Sequence, residues 1–118
     1  MGGIEDGISP EALFVAAAAS SFGATLADML HASGFPHSSR AIHAEGLVAS
    51  DFCAANFTTI TVHPTICGAD ALRCRAYEQA ATSARNHCLI GRSIRGNVAF
   101  VVGVVCLIGP SNEFTDAV

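Results

Sequence analysis

The stretch from Ser9 to His31 constrains this chain most. Ser9-Pro10-Glu11-Ala12-Leu13-Phe14-Val15 leads into Ala16-Ala17-Ala18-Ala19-Ser20-Ser21-Phe22 and on through Gly23. Ser9 supplies a hydroxyl that can cap free N–H groups, and Pro10 suits a first helical position. Glu11 falls in the first turn, where the helix dipole favours a negative charge. The helix is expected to reach about His31 and to stop near Gly34 and Pro36, which break it. Its middle is alanine, serine and glycine, so another element can approach closely.

A chain of 118 residues implies one domain, 1–118, with a flexible acidic lead-in over 1–8 and a polar, frayed tail over 109–118. Its composition is 51% hydrophobic and 14% charged, apolar for a soluble domain of this size. That surplus implies surface buried in an oligomer, with a homodimer expected. The net charge is −4, and no basic patch with interleaved aromatics is present, so no nucleic-acid partner is expected. Cys53, Cys67, Cys74, Cys88 and Cys106 are odd in number and form no CxxC pair. A reducing cytoplasm therefore fits better than a secreted disulfide framework. Glu5 and Asp6 stand where a signal peptide would be basic. The apolar run Val98 to Ile108 falls short of the ~18 residues of a spanning helix, and no membrane partner is expected.

Beyond the first helix, Ser39 to Ala49 reads as a strand with Ile42, Ala44, Leu47 and Val48 inward. Asp51 to Ala55 is a turn, and Asn56 to Val62 a second strand in which Phe57, Ile60 and Val62 interleave with threonines. Gly68-Ala69-Asp70 opens a second helix that ends near His87, with Leu72, Ala76, Gln79, Ala80 and Ser83 at helical spacing. A short helix or turn spans Leu89 to Ile94. A valine-rich buried strand then runs from Asn97 to Leu107. A hairpin plus one distant strand implies α+β rather than a doubly wound parallel sheet.

Two motifs resemble a known family. Ser9-Pro10-Glu11-Ala12-Leu13, the alanine run and Ser21-Phe22 are similar to the first-helix signature of the OsmC/Ohr family, thiol-dependent peroxidases that reduce organic hydroperoxides. That signature is Asn-Pro-Glu-x-Leu, an alanine-rich turn or two, then Cys-Phe. Asn86-His87-Cys88-Leu89-Ile90-Gly91-Arg92 resembles the second signature, Asn-Cys-Pro-Val-Ser-Arg, and Thr59-Ile60-Thr61-Val62-His63 the strand leading into the second helix. The similarity covers about residues 9 to 108. It implies an OsmC-like α+β fold, helices on a mixed sheet in an intertwined dimer, with no cofactor.

The resemblance places Cys88 at the second, resolving cysteine, Glu11 at the carboxylate and Arg92 at the arginine four residues on. Ser21 stands where the attacking cysteine should be, and Leu89 where proline follows the resolving one. Family members also carry a few dozen residues ahead of the first helix, which add strands and an arginine that activates the thiol. No arginine precedes Arg40 here, so those parts are expected to be lacking, truncated or supplied by a partner.

A thiolate attacks a peroxide O–O bond and becomes a sulfenic acid, which a second thiol converts to a disulfide. A serine hydroxyl has no equivalent path. The principal reading is an OsmC-like stress-response protein with a degenerate peroxidase site, its substrate class an organic hydroperoxide or other apolar small molecule. One alternative is a one-cysteine peroxidase using Cys88, whose pKa His87 and Arg92 would lower; another is a non-catalytic ligand-binding or interaction subunit. Phe14 and Phe22 are the candidate apolar contacts. Glu11 lies ten residues before Ser21, about 15 Å along a straight helix, so a shared site needs a second subunit or a bend. The histidines have no ligand spacing, so no metal is expected. Ser21 lacks GxSxG context, which argues against a serine hydrolase.

Overall fold

The computed structural model describes residues 9–50 and 52–110. The expected lead-in over 1–8, Asp51 of the turn and residues 111–118 of the tail lie outside the described residues. Helix α1, Pro10–Ser33, starts as its sequence dictates: Ser9 Oγ accepts from the Ala12 N–H at 3.1 Å. It ends at Gly34, whose φ of +71° is the left-handed conformation that glycine adopts without a Cβ clash. The Gly34 and Phe35 N–H groups close onto the His31 and Leu30 carbonyls.

Strand β1, Ser39–Ser50, and β2, Ala55–Cys67, form an antiparallel hairpin with Ala44 opposite Val62 and His43 opposite His63. A 3₁₀ turn over Ala71–Arg73 leads into α2, Cys74–His87. Helix α3, Leu89–Ser93, follows at once, and then come β3, Ala99–Val102, and β4, Cys106–Ile108. The chain crosses over through the helices between β2 and β3. Both β3 and β4 therefore return parallel to β2, and the sheet is mixed. Fold class is α+β, as expected.

One face of β2 makes the core. Ile60, Val62, Pro64 and Ile66 alternate inward and are buried. Phe22, Leu26 and Leu30 of α1 and Tyr77, Ala81 and Ala84 of α2 pack onto that face. Tyr77 also uses its polar end, donating to the Pro36 carbonyl and accepting from the Asp70 N–H. By length and composition α1 is apolar enough to cross a membrane, and here Ala18, Phe22, Leu26 and Leu30 bury one side of it in the core.

Four expectations need correction. Strand β2 continues past Val62 to Cys67, because Ile66 and Pro64 still face the helices and β4 pairs with the extension. Leu47 and Val48 are exposed rather than inward, since the register shifts between them and breaks the alternation. On α2 the buried face is Tyr77, Ala81 and Ala84, one residue round from the expected stripe, and Leu72 is 95% exposed. The apolar run Asn97 to Leu107 is two short strands rather than one, and Val101 and Val104 are exposed. The break falls where the Gly103 backbone crosses the His63 ring: a Cβ on Gly103 would stand 2.2 Å from His63 Cε1. Val104 then donates its N–H to His63 Nδ1 at 3.0 Å.

Candidate functional site

Ser21 and Cys88 both border the start of α3. Cys88 is the N-cap residue of that helix but makes no side-chain capping bond. Ser21, half-buried on α1, fills the role across the interface: its Oγ accepts from the Ile90 N–H at 3.2 Å. The free N–H groups of a helix start need acceptors, and a hydroxyl oxygen serves better than a thiol sulfur, a weak acceptor.

Cys88 is fully buried. Its Sγ lies 3.8 Å from the Arg85 carbonyl oxygen, a long and weak hydrogen-bond contact. Gly91 closes over it: a Cβ there would meet Cys88 Sγ at 2.9 Å, Phe100 Cδ2 at 2.8 Å and the Arg85 carbonyl at 2.7 Å. His87 bonds back along its own helix, with Nδ1 2.8 Å from the Ser83 carbonyl oxygen. Arg92 is exposed, and its backbone N–H donates to the Cys88 carbonyl at 2.9 Å.

The other sequence-derived candidates lie apart. Glu11 is exposed in the first turn of α1, well along the helix from Ser21. Phe14 is half-buried against Phe57, ring centroids 5.1 Å apart. Phe22 is a core residue, fully buried and edge-on to Phe100 at 6.4 Å. Sequence reasoning missed Ile90 and Gly91, which contribute a backbone donor and the absence of a side chain; neither leaves a mark in residue type.

A larger concavity, about 530 Å³, lies between α1 and β1. Ala12, Val15, Ala16 and Ala19 line its helical side, with Ile42 and Ala44 opposite. That stripe falls on the far side of α1 from Ser21 by helical geometry. On the outer face of the sheet, His43 and His63 stack at 5.8 Å, and Glu45 Oε1 lies 3.4 Å from His63 Nε2. Among the described residues no group of three or more His, Cys, Asp or Glu side chains is placed to hold a metal ion.

This architecture, a hairpin extended in parallel by a late strand with two helices on one face, recurs in solved structures of OsmC-like and organic hydroperoxide resistance proteins. One is an organic hydroperoxide resistance protein OsmC from Legionella pneumophila, at TM-score 0.68 and 20% identity, covering 82% of this chain and 69% of that one. An OsmC-like protein from Vibrio cholerae superposes at TM-score 0.73 with 19% identity, covering 86% and 67%. The organic hydroperoxide resistance protein OhrB of Bacillus subtilis matches at TM-score 0.69 and 20% identity, covering 83% and 70%. No curated protein matches the chain. The family model described as OsmC-like protein matches residues 3–102, so the chain belongs to the OsmC family.

Proposed function

We propose that this chain is an OsmC-like stress-response protein of the organic hydroperoxide resistance group whose peroxidase site is degenerate. The observation that carries the reading is the Ser21 hydroxyl on the Ile90 N–H, at the place the family gives to its attacking thiol. The hydroxyl stays protonated and oxygen forms no sulfenic-acid equivalent, so the two-thiol cycle has no first step. Cys88, the remaining thiol, is shut in by Arg85, Gly91 and Phe100, which argues against the one-cysteine alternative.

A homodimer belongs to the same reading. The α1 stripe of Ala12, Val15, Ala16 and Ala19 would meet a second copy or an apolar ligand.

The test is consumption of cumene hydroperoxide with dithiothreitol as reductant. The natural protein is expected to show no turnover above background, and Ser21→Cys to gain it. Wild-type turnover abolished by Cys88→Ala would sink the degenerate reading in favour of the one-cysteine enzyme. A monomer at micromolar concentration by light scattering would remove the dimer.

A further inference from the structure

A second concavity, about 210 Å³, is bounded by the end of α2, by α3 and by the approach to β3. Arg85, Asn86 and Arg95 supply its polar side, and Val98 and Phe100 its apolar side. Asn86 positions both guanidinium groups. Arg85 Nε and Nη2 donate to its Oδ1 at 3.1 and 2.9 Å, and Arg95 Nη2 donates to its backbone carbonyl at 2.9 Å. A guanidinium has five N–H donors, so most of those on each arginine stay available.

Neither arginine has a carboxylate partner among the described residues, where the ion pairs involve Glu45 alone. The charge pattern of the sequence agrees. No Asp or Glu occurs from residue 79 to residue 112, and Arg85, Arg92 and Arg95 all lie in that span of a chain whose net charge is −4. Two oriented guanidiniums at one concavity, without a carboxylate partner among the described residues, are matched by an oxyanion, and their planar forks suit a carboxylate.

We propose that this concavity binds a small organic carboxylate, its oxygens between Arg85 and Arg95 and its apolar body on Val98 and Phe100. The half-buried apolar wall selects an organic anion over inorganic phosphate, which would leave that wall without a partner. The site uses neither Ser21 nor the Cys88 sulfur, so it does not depend on the peroxidase reading.

The test is a titration of the ¹⁵N-labelled full chain with benzoate at low salt, beside benzamide and inorganic phosphate. Benzoate is expected to shift the backbone amides of residues 85–100 and the Arg85 and Arg95 Nε–H signals, with benzamide inert and phosphate weaker. Arg95→Gln, at an exposed position, is expected to weaken benzoate about tenfold, and Arg85→Gln at least as much. No benzoate shift, equal shifts from benzamide, phosphate binding as tightly as benzoate, or unchanged affinity in Arg95→Gln would each overturn the proposal.

Discussion

Ser21 Oγ lies 3.2 Å from the Ile90 backbone nitrogen, so a side chain of the first helix completes the hydrogen bonding of the third. The contact spans 69 residues of sequence and fixes α1 against the turn that carries Cys88. A serine at this position is thus a structural acceptor as well as a lost thiol.

Ser21→Ala leaves the part-buried Ile90 N–H without its acceptor. We expect a destabilisation of about 1 to 2 kcal/mol, read as a lower urea midpoint at unchanged m-value. Ser21→Cys should destabilise as well, because a thiol is larger and accepts poorly.

Gly103→Ala drives a methyl group into the His63 ring, with contacts of 2.2 and 2.3 Å to Cε1 and Nδ1. The expected cost is about 1 to 3 kcal/mol from overpacking. His63→Ala opens the space, so the double variant should lose less than the sum of the single losses. Thermal unfolding of the four proteins checks this, and strict additivity would show that the ring is not the obstacle.

Cys74 is exposed, yet its thiol is pushed to a higher pKa, first by desolvation and then by Glu78, whose Oε2 lies 3.7 Å from Sγ. The thiolate is the reactive form, and a raised pKa leaves less of it at a given pH. Iodoacetamide labelling of Cys74 near pH 8 should therefore be slower than that of exposed Cys106, and Glu78→Gln should speed it. Peptide mass spectrometry reads both rates. A Glu78→Gln rate equal to wild type would remove the carboxylate from the account.

Cys88, fully buried, should resist the same reagent until the fold opens. Its labelling rate should rise with urea along the unfolding curve, while Cys106 reacts throughout. Labelling of Cys88 as fast as Cys106 in native buffer would mean that Gly91 and Phe100 do not shield the sulfur.

Much of the site was legible as positions and little of it as contacts. Ser21 and Cys88 can be picked out because each occupies a signature place, and both border the start of α3. Their link runs through the Ile90 backbone, and a backbone donor has no residue type to betray it. Glu11 and Ser21 lie on the one helix Pro10–Ser33, ten residues apart, a spacing that helix rise alone makes too long for contact. Phe22 looked like a binding residue but is core, because its neighbour Phe100 comes from the far end of the chain.

Local chemistry in the sequence determined where the first helix begins and ends. Ser9 and Pro10 start α1 and Gly34 stops it, since capping and left-handed backbone are properties of a few adjacent residues. The tertiary structure alone decided which faces turn inward and how far strands run. The face of α2 moved by one residue to bury Tyr77, whose hydroxyl needed the Pro36 carbonyl, and the last apolar run broke where Gly103 passes His63. Periodicity fixes that a helix or strand has a buried side. Only packing against distant partners, with every buried polar group satisfied, selects which side that is.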